Sequence, residues 1–293
     1  MSRQQQDRLF KAFVKGTGLL SIFVLAGIIG MLLWNCTAFF FEVTPIDFLL
    51  HTQWSPSNKN QGEYGLLPLL VGTALVTFGA MAIAIPLGIG TAAYLSEYAP
   101  PALRHFLKPL IEMLASIPSV AIGFLGIVLV GPFIASLFHL PNGLNALNGA
   151  ALLSVMCLPT IITISEDALN AVPFSYKEAS IGLGADRWTT LVRVTLPAAA
   201  PGILAAVLLG MGRALGETMT VLMATGNASE MPSGLLDSVR TITATIAIEM
   251  GEVPYQTTHY YALFAIAGVL FALTFLVNMV GEKIAQHLRK FHE

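Results

Sequence analysis

The chain alternates long apolar stretches with short charged ones. No Asp, Glu, Lys or Arg falls between Lys15 and Glu42, between Glu63 and Glu97, between Glu112 and Glu166, or between Glu252 and Glu282. From Arg193 to Glu230 the only charges are Arg213 and Glu217. A helix needs about 20 apolar residues to cross the hydrocarbon of a bilayer. The gap from Glu112 to Glu166 therefore holds two crossings, parted by the turn signal Pro141-Asn142-Gly143. The pattern predicts six membrane helices, near 17–41, 66–94, 109–131, 149–169, 198–225 and 259–281. Residues 1–16 form a basic amphipathic lead, with Leu9, Phe10, Phe13 and Val14 on one side. The first apolar run is too long for a signal-peptide core and lacks a small-x-small cleavage site, so it reads as a retained span. Pro86, Pro118 and Pro159 fall within predicted spans, where each removes a backbone hydrogen bond and kinks the helix. In 226–258, Thr241, Thr243 and Thr245 alternate with Ile242, Ala244 and Ile246. A strand and a short helix at the membrane surface both remain open there.

Composition agrees with this pattern. Hydrophobic residues make up 55% of the chain and charged residues 11%, against roughly 25% charged in soluble domains. Orientation follows from Lys and Arg, which concentrate on the cytoplasmic side. With the N-terminus inside, twelve cations are cytoplasmic: Arg3, Arg8, Lys11, Lys15, Arg104, Lys108, Lys177, Arg187, Arg193, Lys283, Arg289 and Lys290. Only Lys59 and Arg240 lie outside, and Arg213 lies within a span. Both termini and the segment around Glu178 are thus expected on the cytoplasmic side. Cys36 and Cys157 sit in separate apolar runs with no metal-ligand spacing and read as buried thiols. Trp54 and Tyr64 are placed like interfacial aromatics of an outer loop at 42–65, and His259 like an interfacial residue. Glu112 reads as an acid in the first turn of the third span.

Arg213 and Glu217 are the intramembrane charges. Burying either costs roughly 2.5–3.5 kcal/mol on insertion scales, so each should face a partner or a wet path. Their spacing of four predicts one helix face, and Gly210, Gly212 and Gly216 leave room for close approach. An Arg fork suits a tetrahedral oxyanion. Phosphate at neutral pH keeps a hydroxyl that can donate to a carboxylate, whereas sulfate has none, so the pair could pass one and repel the other. A structural ion pair between helices is the other reading of these two residues. The intramembrane polar set offers no nucleophile, metal cluster or acid pair for a membrane enzyme. No G-x-x-x-x-G-K-[ST] and no Gly-Lys pair occur, so no nucleotide is bound by that route.

Between the fourth and fifth predicted spans, Glu178 to Arg193 reads as a helix interrupted at Gly182 and Gly184. Such a bent apolar helix presents a knob that can seat in another protein's groove. Pro197 then opens the next span. The spacing Glu178-Ala179-Ser180, three residues, Gly184, nine residues, Val194-Thr195-Leu196-Pro197 resembles the EAA motif of bacterial ABC importer permeases. Ser180 departs from the second Ala of that motif and Val194 from its Ile. Further blocks are similar to phosphate ABC transporter permeases of the PstC type. They are Gly65-Leu66-Leu67-Pro68, Pro86-Leu87-Gly88-Ile89-Gly90, Tyr94-Leu95-Ser96-Glu97-Tyr98-Ala99-Pro100, Ile117-Pro118-Ser119-Val120, Gly212-Arg213-Ala214-Leu215-Gly216-Glu217-Thr218-Met219 and Thr241-Ile242-Thr243-Ala244-Thr245-Ile246-Ala247. The sister PstA type has a similar Arg-x-x-Gly-Glu-Thr block, with a different continuation.

The resemblance implies an all-α integral membrane protein with six transmembrane helices and the type I ABC importer permease fold. It implies a cytoplasmic N-terminus, first anchor and outer loop at 1–65, a transport domain at 66–282 with a coupling loop at 171–197, and a cytoplasmic tail at 283–293. It carries a substrate-pathway role onto Arg213 and Glu217, and an ATPase-coupling role onto Glu178, Ala179 and Gly184. The implied partners are a paralogous PstA-like permease forming a heterodimer, two PstB-like ATPase subunits and an extracytoplasmic PstS-like phosphate-binding protein. No cofactor is expected in this chain, since ATP and Mg would sit on the ATPase. The expected activity is import of inorganic phosphate across the bacterial plasma membrane. The rivals are a permease for sulfate, molybdate or phosphonate and an ion-coupled secondary carrier.

Overall fold

The computed structural model describes residues 3–56 and 62–290, with side chains described for 10–56 and 62–287. Among the described residues six helices are long and apolar enough to cross a membrane: Phe10–Phe40, Leu67–Glu97, Ser119–Phe138, Ala146–Asn170, Arg187–Gly216 and Thr258–His287. They fall in the helices α1 (Arg3–Phe40), α3 (Leu67–Glu97), α5 (Ser119–Leu125) running on into α6 (Gly131–Phe138), α7 (Ala146–Asn170), α9 (Arg187–Thr190) running on into α10 (Leu196–Gly216), and α13 (Thr258–Lys290). Shorter helices α2 (Pro45–Leu50), α4 (Pro101–Leu114), α8 (Phe174–Gly182), α11 (Met219–Ala224) and α12 (Ile242–Glu249) occupy the connections. The strands β1 (Trp54–Ser55) and β2 (Glu63–Tyr64) make a two-stranded antiparallel hairpin, with Trp54 opposite Tyr64.

The bundle is centred on α7, packed against α3 on one side and α10 on the other. Ile161 of α7 shows how close these helices come. A Cβ at Gly88 of α3 would lie 2.6 Å from Ile161 Cγ2, and one at Gly210 of α10 would lie 2.8 Å from Ile161 Cγ1. Small residues at such crossings let backbones approach in lipid, where packing rather than water exclusion drives association. The first span lies at the edge of the bundle, against α13, where Cys36 Sγ donates to the Phe264 carbonyl at 3.2 Å. Cys36 is half-buried rather than buried, whereas Cys157 is buried as expected.

Two span boundaries differ from expectation. The third crossing is Ser119–Phe138 and not 109–131. The preceding residues instead form α4, which fully buries no side chain and rests on the bundle through Leu107 and Ile111. Its Arg104 and Lys108 turn toward Glu166 of α7, at 2.6 and 3.3 Å, which leaves Phe106, Met113 and Leu114 exposed. Pro118 is the N-cap of α5 and kinks no span, and Glu112 sits in the last turn of α4, not at a helix start. The fifth crossing begins at Arg187 and stops at Gly216, not at 198–225. Pro197 therefore lies inside a continuous crossing and does not open one.

Both the third and the fifth crossing contain a turn of π-helix, Gly126–Val130 and Leu191–Thr195. Each ends two residues before a proline, Pro132 and Pro197. A proline ring clashes with the carbonyl four residues earlier and donates nothing to it. Those carbonyls belong to Val128 and Arg193, inside the two widened turns, so the extra residue absorbs the clash without breaking the helix. In the third crossing the turn is also held laterally, by Asn148 Nδ2 donating to the Gly126 and Gly143 carbonyls at 3.0 and 3.1 Å.

The segment 226–258, left open by its sequence, is helical at its centre. Gly226 turns the chain at φ 81°, and Val239 N–H donates to the Thr225 carbonyl at 3.0 Å. The chain then enters α12, whose Ile242, Ala244 and Thr245 are buried. Thr241 caps α12 by accepting from Ala244 N–H at 3.2 Å, and Thr73 of α3 accepts from Ile242 N–H at 3.1 Å. The period-two threonines are therefore cap and core-facing residues of a short helix folded into the bundle.

Candidate functional site

The segment predicted as one bent helix resolves into two, α8 and α9, with the bend between them. The bend is a Schellman motif, in which a residue in the left-handed region ends a helix while two amides reach back to its last turn. Gly184 sits at φ 88°. Its N–H donates to the Ile181 carbonyl at 2.9 Å, and Ala185 N–H donates to the Ser180 carbonyl at 3.2 Å. Asp186 then starts α9 by accepting from Thr189 N–H at 3.2 Å. Hydrogen bonds from Thr189, first from its side chain and then its backbone, hold the Asp186 carboxyl below its ordinary range. The result is a protruding apolar knob. Leu183 is 90% exposed, Ile181 and Trp188 are also exposed, and nothing lies within 4 Å of a Cβ built at Gly182 or Gly184. Glu178 and Ala179 are exposed on the same helix. The expected glycine bend is present at Gly184, while Gly182 is the last residue of α8.

Behind the knob, α8 is tied to the bundle at two points. Lys177 Nζ pairs with Glu97 at the end of α3 at 2.5 Å. Ser180 Oγ and Thr190 Oγ1 are 2.9 Å apart. Glu166 is 1% exposed and takes both Arg104 and Lys108, so a buried carboxylate is matched by two cations from α4. An unpaired charge there would be costly, which makes this cluster a fixed point of this end of the bundle.

The second expected site lies in the membrane, and its geometry differs from expectation. Arg213 is on α10, but the helix ends at Gly216 and Glu217 has extended backbone, with ψ 131°. The pair therefore does not share a helix face. Glu217 instead spans a break: its Oε1 accepts from Thr220 N–H of α11 at 3.3 Å, and its carbonyl accepts from Thr243 Oγ1 of α12 at 2.9 Å. Thr243 Oγ1 also lies 3.1 Å from Thr241 Oγ1. Arg213 is half-buried and makes no ion pair or hydrogen bond among the described residues. The structural ion pair is therefore not formed. The helix end at Gly216 places irregular backbone beside an unpaired guanidinium, and in a membrane such backbone persists only within protein or beside a wet cavity.

A third cluster was not singled out from the sequence. Glu249, at the end of α12, accepts from Trp54 Nε1 at 3.1 Å and from Arg240 at 2.8 Å, and pairs with His259 Nε2 at 2.8 Å. Trp54 is 1% exposed, so it is a buried anchor and not an interfacial aromatic, and His259 is a hydrogen-bond partner of Glu249. This hub binds the hairpin, α12 and α13 at one wall of a groove of about 730 Å³. Trp54 lies 195 residues from Glu249, and no spacing announces the cluster. Nearby, burial and then the Glu42 charge push the Tyr64 phenol above its ordinary range.

The sequence model of one family, described as "Binding-protein-dependent transport system inner membrane component", matches residues 84–290. The chain belongs to this family. It is similar to a probable ABC transporter permease protein, YqgH, of Bacillus subtilis (strain 168). The two are 41% identical over 234 residues, covering 80% of this chain and 75% of that one. It is also similar to the phosphate transport system permease protein PstC of Mesorhizobium japonicum, 33% identical over 298 residues, 94% of this chain and 89% of the relative. PstC 1 of Mycobacterium tuberculosis is 33% identical over 283 residues, 84% and 83% of the two chains. Among solved structures, a chain of a bacterial alginate ABC transporter aligns with TM-score 0.63 at 15% identity, covering 96% of each chain. A chain of the MetNI methionine ABC transporter aligns with TM-score 0.59 at 20% identity, covering 75% of this chain and 96% of that one. These likenesses establish the fold of an ABC importer permease. The chain is a multi-pass inner-membrane subunit of a binding-protein-dependent ABC importer, a translocation component and not an enzyme.

Proposed function

We propose that this permease moves inorganic phosphate into the cytoplasm as the PstC-type half of a heterodimeric transmembrane unit. The observation that carries the reading is the unpaired guanidinium of Arg213 beside the broken helix end at Glu217. An oxyanion passing there meets the Arg fork, and its protonated oxygen can donate to the carboxylate. The PstC relatives, similar over most of the chain, support phosphate over another oxyanion. The partners are a PstA-like permease, two PstB-like ATPases that carry ATP and Mg, and a PstS-like phosphate-binding protein outside. Both termini and the α8 knob face the cytoplasm, in keeping with the Lys and Arg distribution of the sequence. The knob, with Glu178, Ala179 and Gly184, receives the movement of the ATPases as a helix seated in a groove does. Closing ATPases draw the knobs of the two permeases together and open the bundle outward, and hydrolysis restores the inward-facing state.

The test is uptake by the assembled transporter in vesicles, with sulfate as competitor. Wild type should take up phosphate and ignore sulfate. Glu217→Gln removes the charge that repels a fully ionised anion while keeping a similar shape, so sulfate should begin to compete. Arg213→Ala should abolish phosphate uptake. Phosphate uptake untouched by Arg213→Ala would sink the pathway role, and sulfate uptake by wild type would sink the substrate.

A further inference from the structure

The knob is apolar and exposed, but its inner side is not. Ser180 stands where the motif carries Ala, and an Ala could not make the bond that Ser180 makes. Its hydroxyl meets the Thr190 hydroxyl at 2.9 Å. Thr190 is the last residue before the π turn Leu191–Thr195, and Thr195 Oγ1 lies 3.5 Å from the Thr190 carbonyl, five residues back. Leu196 N–H reaches the Leu191 carbonyl with the same five-residue step. Thr190, Leu191 and Thr195 are buried, while Val192 and Arg193 between them face outward.

We propose that Ser180, Thr190 and Thr195 form a hydroxyl relay that ties the α8 knob to the π turn, and that this turn passes knob movement into the fifth crossing. The proposal rests on the reading of α8 as the ATPase-coupling element. A π turn holds one residue more than α-helical register, so it can shift its surplus by small dihedral changes while the helix stays continuous. Pro197 keeps the surplus in place from the far side, because its ring excludes normal register at Arg193. The relay holds it from the near side. Leu191 in the turn, with Ala199 and Ile203 beyond it, packs with Ala92, Leu95 and Ile162, so a shift there moves α10 against α3 and α7. At the other end of α10 lies the break at Glu217. The Lys177–Glu97 pair ties the same knob to α3, so a knob pulled outward loads both elements. Ser180 and Thr190 act here as positioning residues.

Two measurements separate the relay from the functional reading beneath it. In the first, amide exchange is followed on the full-length permease alone in lipid nanodiscs. Loss of one partly buried hydrogen bond should raise exchange about fivefold at the amides of 190–196 in Ser180→Ala and in Thr190→Val. Ser180→Thr, which keeps the hydroxyl, should behave as wild type. The double variant should exchange no faster than either single one, since both remove the same bond. Unchanged exchange in Ser180→Ala, or Ser180→Thr as perturbed as Ser180→Ala, overturns the tie. The second uses the assembled transporter and compares phosphate taken up per ATP hydrolysed. Thr190→Val should still hydrolyse ATP with its ATPases attached while uptake per ATP falls several-fold, and Thr190→Ser should restore it. An unchanged ratio in Thr190→Val overturns the transmission role. A wild-type complex that holds no ATPase overturns the coupling reading, and the exchange result still decides whether the relay exists.

Discussion

Gly184 carries the bend of the knob through its backbone alone. Its φ of 88° is open to glycine and unfavourable for other residues, by roughly 1–2 kcal/mol for an L side chain in the left-handed region. Nothing lies within 4 Å of a Cβ placed there, so a substitution strains the turn without a clash. Gly184→Val should therefore leave the subunit inserted and assembled while uptake per ATP collapses. Gly184→Asn should be milder, since Asn tolerates this region. Normal coupling in the Val variant would show that the bend is incidental. Two residues on, Asp186 makes a prediction with a definite sign. Hydrogen bonds from Thr189 hold its carboxyl below the ordinary value of 3.8, so the folded turn favours the ionised form. The stabilising effect of this cap is present above that value and is lost as pH falls through the depressed one. The protection factor of the Thr189 amide, its exchange corrected for the intrinsic pH dependence, should stay constant across neutral pH and fall only on strong acidification. Asp186→Asn keeps an acceptor and should remove the acid dependence.

At the scale of elements, the membrane made some features legible and hid others. Charge-poor stretches located all six crossings, because a buried charge in lipid is costly wherever it falls. Where a crossing begins was harder to read. Residues 109–114 are as apolar as a span, yet Arg104 and Lys108 hold α4 across the end of α7 at Glu166. Pro118 stops that helix and caps the next one, a signal available in the sequence and read there as a kink. The end of the fifth crossing was likewise written in Gly216-Glu217-Thr218, a glycine stop followed by a hydroxyl start. The four-residue spacing of Arg213 and Glu217 assumed a helix that the chain does not continue. The π turns were signalled by Pro132 and Pro197, but only the structure shows that the helices widen at those prolines and do not break. The third crossing offers a direct check of how tightly its turn is held. Gly143 approaches so closely that a Cβ would lie 1.8 Å from the Gly131 carbonyl oxygen, against backbone that has no rotamer to change. Gly143→Ala should displace the loop before α7 and break the Asn148 bonds to the π turn, lowering thermal stability by several degrees or preventing insertion. Wild-type melting in that variant would mean that the loop has room the structure does not show.

At the scale of the whole molecule, the two ends of the bundle have different characters, and under the proposed coupling role that difference predicts which way it faces. One end carries the exposed apolar knob and the cations Arg104, Lys108 and Lys177, all of them paired to carboxylates of α3 or α7. The other end carries the hairpin, the Glu249 hub and a polar groove. An ATPase can grip only a rigid, protruding element on the cytoplasmic side, and a loaded binding protein can reach only the opposite face. Leu183 and Tyr255 mark the two ends, at 90% and 73% exposed. A membrane-impermeant thiol reagent added to right-side-out vesicles should label Tyr255→Cys and leave Leu183→Cys untouched, and inverted vesicles should reverse the result. The native thiols form a silent background, since Cys36 and Cys157 both lie inside spanning helices. In inverted vesicles of the assembled transporter the knob is covered, so Leu183→Cys should react at least tenfold more slowly than in the permease alone. Labelling of Leu183→Cys from outside would invert the topology and remove the coupling role. Cytoplasmic labelling without protection in the complex would keep the topology and show that the ATPases grip some other part of the inner face.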